Sequence, residues 1–273
     1  MQFRDSVPEV NKLSIVSAVI MLAFALTQLI SFPARLLSFT LFGVLIEFTL
    51  DFNTIITGLT AVLAAAGMQW LILSHPMRDQ QSSQLLHARH WILPILTSLV
   101  IGVALNTFTG SSFWWVTFIL GSVLLIAVLI AEYNVLKDEQ ENHPIARIGL
   151  SSLSFALYLL LAIAVYAANL RLYIRLPLLA IGAMMVVSRT LFLRLKKWET
   201  IWSIVITLII SEVAVGFHYL PLTPSQFGLL LIGLAYGLTS LVTGIKESRI
   251  GFAFWGESVV VMTLMVIISV FWP

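Results

Sequence analysis

The chain of 273 residues has no cysteine and few charged residues, and each shortage excludes a class of protein. Without cysteine there can be no disulfide, iron–sulfur cluster, thiolate zinc site or cysteine nucleophile. Charged residues make up 10% of the chain, against about 25% in a typical soluble domain, while 59% are hydrophobic. Such a chain cannot cover a water-facing surface. We therefore predict an integral membrane protein that forms a single transmembrane domain over residues 1–273.

Familiar motifs of nucleotide-binding and hydrolytic proteins are also missing. The sequence contains no P-loop, no GxGxxG after a strand, no HExxH and no GxSxG. The net charge of +2 is small and gives no basic surface for nucleic acid. We expect no cofactor and no nucleic-acid partner. The expected partners are the lipid bilayer and other membrane protein subunits.

Nine apolar runs are long enough to cross a bilayer, which takes about 20 helical residues. They cover residues 12–32, 54–74, 91–109, 112–134, 147–168, 174–193, 200–220, 225–245 and 251–271. No cleavage site follows the first run, which we interpret as a retained helix rather than a signal peptide. The pattern predicts an all-α polytopic membrane protein with nine transmembrane helices.

Residues 36–53, "LLSFTLFGVLIEFTLDFN", differ from these runs because polar residues recur at alternate positions. Ser38 and Thr40 precede Gly43, and Glu47 and Thr49 follow it. A period of two indicates strands, and glycine suits the turn between them. We predict a β-hairpin at the external membrane interface, because an open hairpin cannot lie in hydrocarbon. The alternative is a short, tilted tenth helix of about 15 residues, or roughly 22 Å.

The basic residues indicate the orientation. With nine spans and a cytoplasmic N-terminus, 12 of the 15 lysines and arginines fall on the cytoplasmic side. With ten spans the division is 11 against 4. Both arrangements obey the positive-inside rule, which slightly favours nine. We predict a multi-pass protein of the cell membrane with a cytoplasmic N-terminus and an external C-terminus.

Several short blocks carry a resemblance to known sequences. They include "LSFTLFGVLIEFTL", "AVLAAAGMQWLILSHP" and "RHWILP", then "AEYNVL", "SEVAVGFHYLPLTP" and "GLLLIGLAYGL" in the same order. Together these blocks resemble an uncharacterised family of bacterial multi-spanning integral membrane proteins with no assigned activity. The resemblance implies the same topology and gives no catalytic residues to transfer.

Four ionisable residues within the spans are the candidate polar site: Glu212, Glu257, Arg189 and Glu132. Glu212 has no charge within four residues on its own helix, so we expect it to be buried against a polar group of another helix or a cavity. Its role would then be either functional or structural. Arg189 could pair with Glu257. Alternatively, Arg189 and Glu132 extend their polar ends to the interface.

The histidines do not predict a metal or haem site. His75, His87 and His90 share a polar segment expected to be solvated, and His218 lies on the opposite side of the membrane. Haem needs ligands at matching depth in facing helices, and the sequence shows no such pair. Small residues at 61–67 and 233–238 predict close helix packing, within this protein or against another.

Three function classes remain, and the sequence favours a non-catalytic accessory or scaffold subunit of a larger membrane assembly. Sparse intramembrane polar groups and short loops favour it. A transporter of small solutes, ions or protons would use the intramembrane carboxylates, but there is no clear inverted repeat. A lipid-acting enzyme is the second alternative, although it would normally cluster Asp, His and Arg at one interface.

Overall fold

The computed structural model describes residues 10–30, 33–41, 44–73, 88–141, 144–247 and 252–271. Over these ranges the chain forms nine α-helices and two β-strands. The helices are α1 (Val10–Leu29), α2 (Phe52–Leu73), α3 (Ile92–Thr107), α4 (Phe113–Glu141), α5 (Pro144–Ala167), α6 (Leu172–Leu195), α7 (Thr200–His218), α8 (Pro224–Lys246) and α9 (Phe252–Phe271). The strands are β1 (Arg35–Leu41) and β2 (Val44–Leu50), and a short 3-10 helix covers Ala88–His90.

Each of the nine predicted runs overlaps one of these helices, and seven helices are long and apolar enough to cross a membrane. The other two apolar helical stretches, Ile92–Thr107 and Gly256–Phe271, are shorter. Several long apolar helices indicate a membrane location and a multi-pass protein. Crossing by all nine helices and the orientation of the termini remain predictions.

Residues 35–41 and 44–50 form paired strands. β1 and β2 are antiparallel, with Arg35 opposite Leu50 and Leu41 opposite Val44. The described part of this segment is therefore strand rather than helix, and the complete hairpin remains a prediction. The predicted turn residue Gly43 lies outside the described residues, and the location at the external interface remains a prediction.

The helices group into two compact units, Met1–Asn134 and Val135–Pro273, and the single transmembrane domain remains a prediction. In the first unit α2 packs against α1 and α3. Gly67 of α2 allows a close approach, because a Cβ added there would lie 2.3 Å from the Cγ1 of Val16. The small residues at 61–67 thus contribute to packing within this chain.

In the second unit α8 is the most buried span and packs against α5 and α9, and also contacts α6 and α7. A Cβ added to Gly233 would lie 2.7 Å from the Cβ of Met265, so this glycine permits the close packing of α8 on α9. The 233–238 segment therefore also packs within the chain.

Local signals fix where two helices begin. Thr223 and Gln226 form a reciprocal capping box at the start of α8, and Pro224 occupies the first helical position. At the start of α2 the Asp51 carboxylate accepts from the backbone N–H of Thr54 at 2.9 Å. Asp51 is therefore the capping side chain of α2.

Candidate functional site: polar groups within the apolar helices

Glu132 forms a buried pair with His90 in the first unit. His90 Nδ1 lies 2.7 Å from Glu132 Oε2, and both side chains are fully buried. The Nε of Arg89 donates to His90 Nε2 at 3.1 Å. An imidazole nitrogen that accepts a hydrogen bond carries no proton, so Nδ1 carries it and donates to Glu132. In this arrangement a neutral imidazole links a guanidinium to a carboxylate.

The interpretation of Glu132 as a group that extends to the interface is therefore wrong. His90 ends the 3-10 helix at Ala88–His90, directly before α3, and this position brings its ring to α4. The neighbouring Trp91 donates its indole N–H to Gln69 Oε1 at 3.0 Å, which links the same segment to α2. The predicted solvated loop thus ends in a buried histidine, whereas His75 and His87 lie outside the described residues.

Glu257 bonds to a tyrosine in the second unit. The hydroxyl of Tyr236 on α8 donates to Glu257 Oε1 on α9 at 2.7 Å. The guanidinium carbon of Arg194 lies 5.4 Å from the centre of the Tyr236 ring, within the range of a cation–π contact. Glu257 does not pair with Arg189 among the residues that the structure describes.

Arg189 is fully buried in α6, on the face that also buries Val186 and Leu193. Extension of its guanidinium to the interface is therefore wrong as well. The spacing along the helix explains this burial. Val186 and Leu193 are seven residues apart and lie on one side of α6. Arg189 is three residues from Val186 and four from Leu193, so it lies on the same buried side.

Glu212 contradicts the expectation of burial. The buried residues of α7 are Ser203, Ile206, Thr207, Ile210 and Ala214. Glu212 is two residues from both Ile210 and Ala214, and two residues turn a helix by about 200°. Its side chain therefore lies opposite the buried side and is exposed. It has no hydrogen bond or ion pair in the part of the chain that the structure describes.

An apolar stripe surrounds Glu212 along the exposed side of α7. Ile201 is 76% exposed, Val205 39% and Leu208 58%, and with Glu212 they recur at spacings of four and three residues. We call these four residues the outward face of α7. Six residues, or about 9 Å of helix axis, separate Glu212 from the helix end at His218.

A further polar group, which the sequence did not single out, lies at the start of α6. Arg175 is 5% exposed, and its Nη1 lies 2.6 Å from His218 Nδ1 at the end of α7. The guanidinium carbon stacks 4.5 Å from the centre of the Tyr166 ring. The sequence offered one signal, since Arg175 lies one residue inside the predicted 174–193 span.

No three His, Asp or Glu side chains come together as a metal site within the described ranges. Over the described ranges the long apolar helices, with few polar groups between them, define a multi-helical, apolar protein. Residues 32–272 match DUF5656, described as a protein of unknown function. The chain belongs to this family, which agrees with the resemblance to an uncharacterised family. No curated protein and no solved structure matches the chain.

Proposed function

We propose that this chain is a non-catalytic accessory or scaffold subunit of a larger membrane assembly. The observation that carries the proposal is Glu212, an exposed carboxyl within an apolar helix. A charged acid near the centre of a transmembrane helix costs about 2.5–3.5 kcal/mol on insertion scales. Such residues almost always face a bundle interior, a cavity or a partner rather than lipid.

The partner that fits the outward face of α7 is a transmembrane helix with a hydrogen-bond donor at the depth of Glu212. Ile201, Val205 and Leu208 supply apolar contact on either side of a single polar position. In lipid, apolar contact alone discriminates poorly between partners, because the acyl chains are as apolar as the side chains. The carboxyl would therefore supply the specificity of the contact.

The test is the size of the assembly after extraction in mild detergent. We expect the wild-type chain to migrate in a complex larger than one copy, and Glu212→Gln to remain there because glutamine keeps the hydrogen bond. Glu212→Ala should dissociate on the order of 10-fold more readily, which corresponds to about 1.4 kcal/mol. Leu208→Ala is the matched control, since it removes apolar area from the same face and no polar group.

Two results would reject the proposal: a wild-type chain that is monomeric in bilayer discs, or a complex indifferent to Glu212→Ala. Mass spectrometry of the complex identifies the partner, and a second copy of this chain is one outcome. Only a partner whose binding depends on Glu212 counts as support.

Proton or ion transport is the second candidate, and the buried His90–Glu132 pair favours it. Two adjacent proton-binding groups inside an apolar unit are the elements of a proton relay. The assay is proton flux into liposomes that contain the purified chain. Flux that Glu132→Gln abolishes without loss of folding would favour transport, and absence of flux in the wild type would remove this candidate.

A further inference from the structure

We propose that Arg175 is the centre of a binding site for a phosphate-class oxyanion, at the end of the second unit where α6 begins and α7 ends. Arg175 is the fourth residue of α6, and 95% of its side chain is buried. The proposal is independent of the proposed assembly role, because Arg175 and Glu212 occupy different positions and would bind different chemical groups.

The guanidinium carries a positive charge without a negative partner. Arginine stays protonated in proteins. Among the described residues no carboxylate pairs with Arg175, and its buried Nε has no hydrogen-bond partner. The position near the first turn of α6 adds the positive end of the helix dipole. A buried charge without a counter-charge is strongly unfavourable, so an anion at this position would stabilise the folded chain.

The present partners of Arg175 leave room for an anionic acceptor. Nη1 donates to His218 Nδ1, and Nη2 lies 3.5 Å from the carbonyl oxygen of Tyr166, a long contact. The His218 ring is half-buried. A phosphate oxygen could replace the imidazole on Nη1. Arginine suits this class of ligand, because its fork of N–H groups matches two oxygens at once.

The position along the helices is that of phospholipid headgroups. Tyr173 follows the start of α6, and Tyr219, which is 75% exposed, follows the end of α7. Tyrosine is enriched where a membrane meets water. The oxyanion could therefore come from a lipid headgroup or from free phosphate, and the two sources share the chemistry that Arg175 recognises.

The experiment measures thermal unfolding of the full-length chain in detergent, with three additions in separate arms: inorganic phosphate, phosphatidylglycerol and phosphatidylcholine. We expect phosphate-class ligands to raise the apparent Tm of the wild type. Stabilisation by phosphatidylglycerol alone identifies an anionic lipid site, whereas stabilisation by phosphate as well identifies a general oxyanion site. Phosphatidylcholine shows how much any lipid contributes, and equal stabilisation by both lipids with none by phosphate would contradict a site selective for anions.

Arg175→Gln should weaken binding of the stabilising ligand on the order of 10-fold to 100-fold, the range for loss of a charged hydrogen bond. Arg171→Gln is the control, because it removes the same charge from the same end of the unit. Arg175→Gln should also unfold no earlier than the wild type without ligand, since it removes an uncompensated charge. Equal ligand effects in Arg175→Gln and the wild type would overturn the site.

A second measurement tests the site even if the Arg175 variant does not fold. Native mass spectrometry of the wild type alone detects bound phospholipid or phosphate. A wild-type chain that neither retains nor is stabilised by any of these ligands shows that Arg175 has a purely structural role, and the proposal is then wrong.

Discussion

Replacing His90 with alanine removes the buried hydrogen bond between His90 Nδ1 and Glu132 Oε2. The imidazole is neutral in this arrangement, so the variant loses a hydrogen bond to a charged group rather than an ion pair, at a cost of about 1.5–3 kcal/mol. At about 2–4 °C per kcal/mol for chains of this size, the apparent Tm of His90→Ala should fall by roughly 3–12 °C. Intrinsic fluorescence reports the transition, since the chain has eight tryptophans.

A double-mutant cycle separates the pair from simple loss of packing. Glu132→Gln keeps an acceptor for His90 Nδ1, so we expect a loss of only about 1 kcal/mol. His90→Ala combined with Glu132→Gln should be less destabilised than the sum of the single variants, because both single changes weaken the same hydrogen bond. An unchanged Tm in His90→Ala, or strict additivity in the cycle, would refute the conclusion that this pair stabilises the first unit.

Two further predictions concern packing and topology. Gly233→Ala should destabilise the second unit by about 1–3 kcal/mol in the same unfolding assay, because its Cβ would lie 2.7 Å from the Cβ of Met265. Gly149→Ala is the control. It has open space around the added Cβ and should be neutral or slightly stabilising. The nine-span topology predicts that single cysteines at positions 2 and 273 react with impermeant reagents from opposite sides of the membrane. Labelling from the same side would favour ten spans. The chain has no native cysteine that would react as well.

The sequence located the helices well because apolar length is the dominant signal in a membrane protein. It also predicted strands where β1 and β2 lie, because the period of two there differs from the neighbouring apolar runs. Neither signal depends on which parts of the chain meet. Both can therefore be recognised in a single sequence.

The polar contacts could not be predicted in the same way. His90 and Glu132 are 42 residues apart, and nothing local distinguishes His90 from a histidine in a solvated loop. For α7 the sequence did not show which side of the helix is buried. Ile206 and Ile210 are buried while Ile201 and Leu208 are exposed, so apolar residues occur on both sides of the helix. When the surrounding solvent is lipid, hydrophobicity does not show which side faces the protein.

A comparison of the partners of Glu132, Glu257 and Glu212 supports the proposal that Glu212 contacts another protein. Glu132 is bonded to His90, and Glu257 accepts from Tyr236, so two of the three intramembrane glutamates have partners within their own units. Glu212 alone among these three lacks one in the described structure. It lies about 9 Å of helix axis from the nearer end of α7, and a glutamate side chain reaches roughly half that distance, so extension to the interface would not fully hydrate it. A group that neither the described chain nor water satisfies either faces lipid or bonds to a partner, and the Glu212→Gln and Glu212→Ala comparison distinguishes these. A lipid-facing acid would leave both variants with the wild-type assembly state, whereas a bonded carboxyl would make alanine, and not glutamine, disruptive.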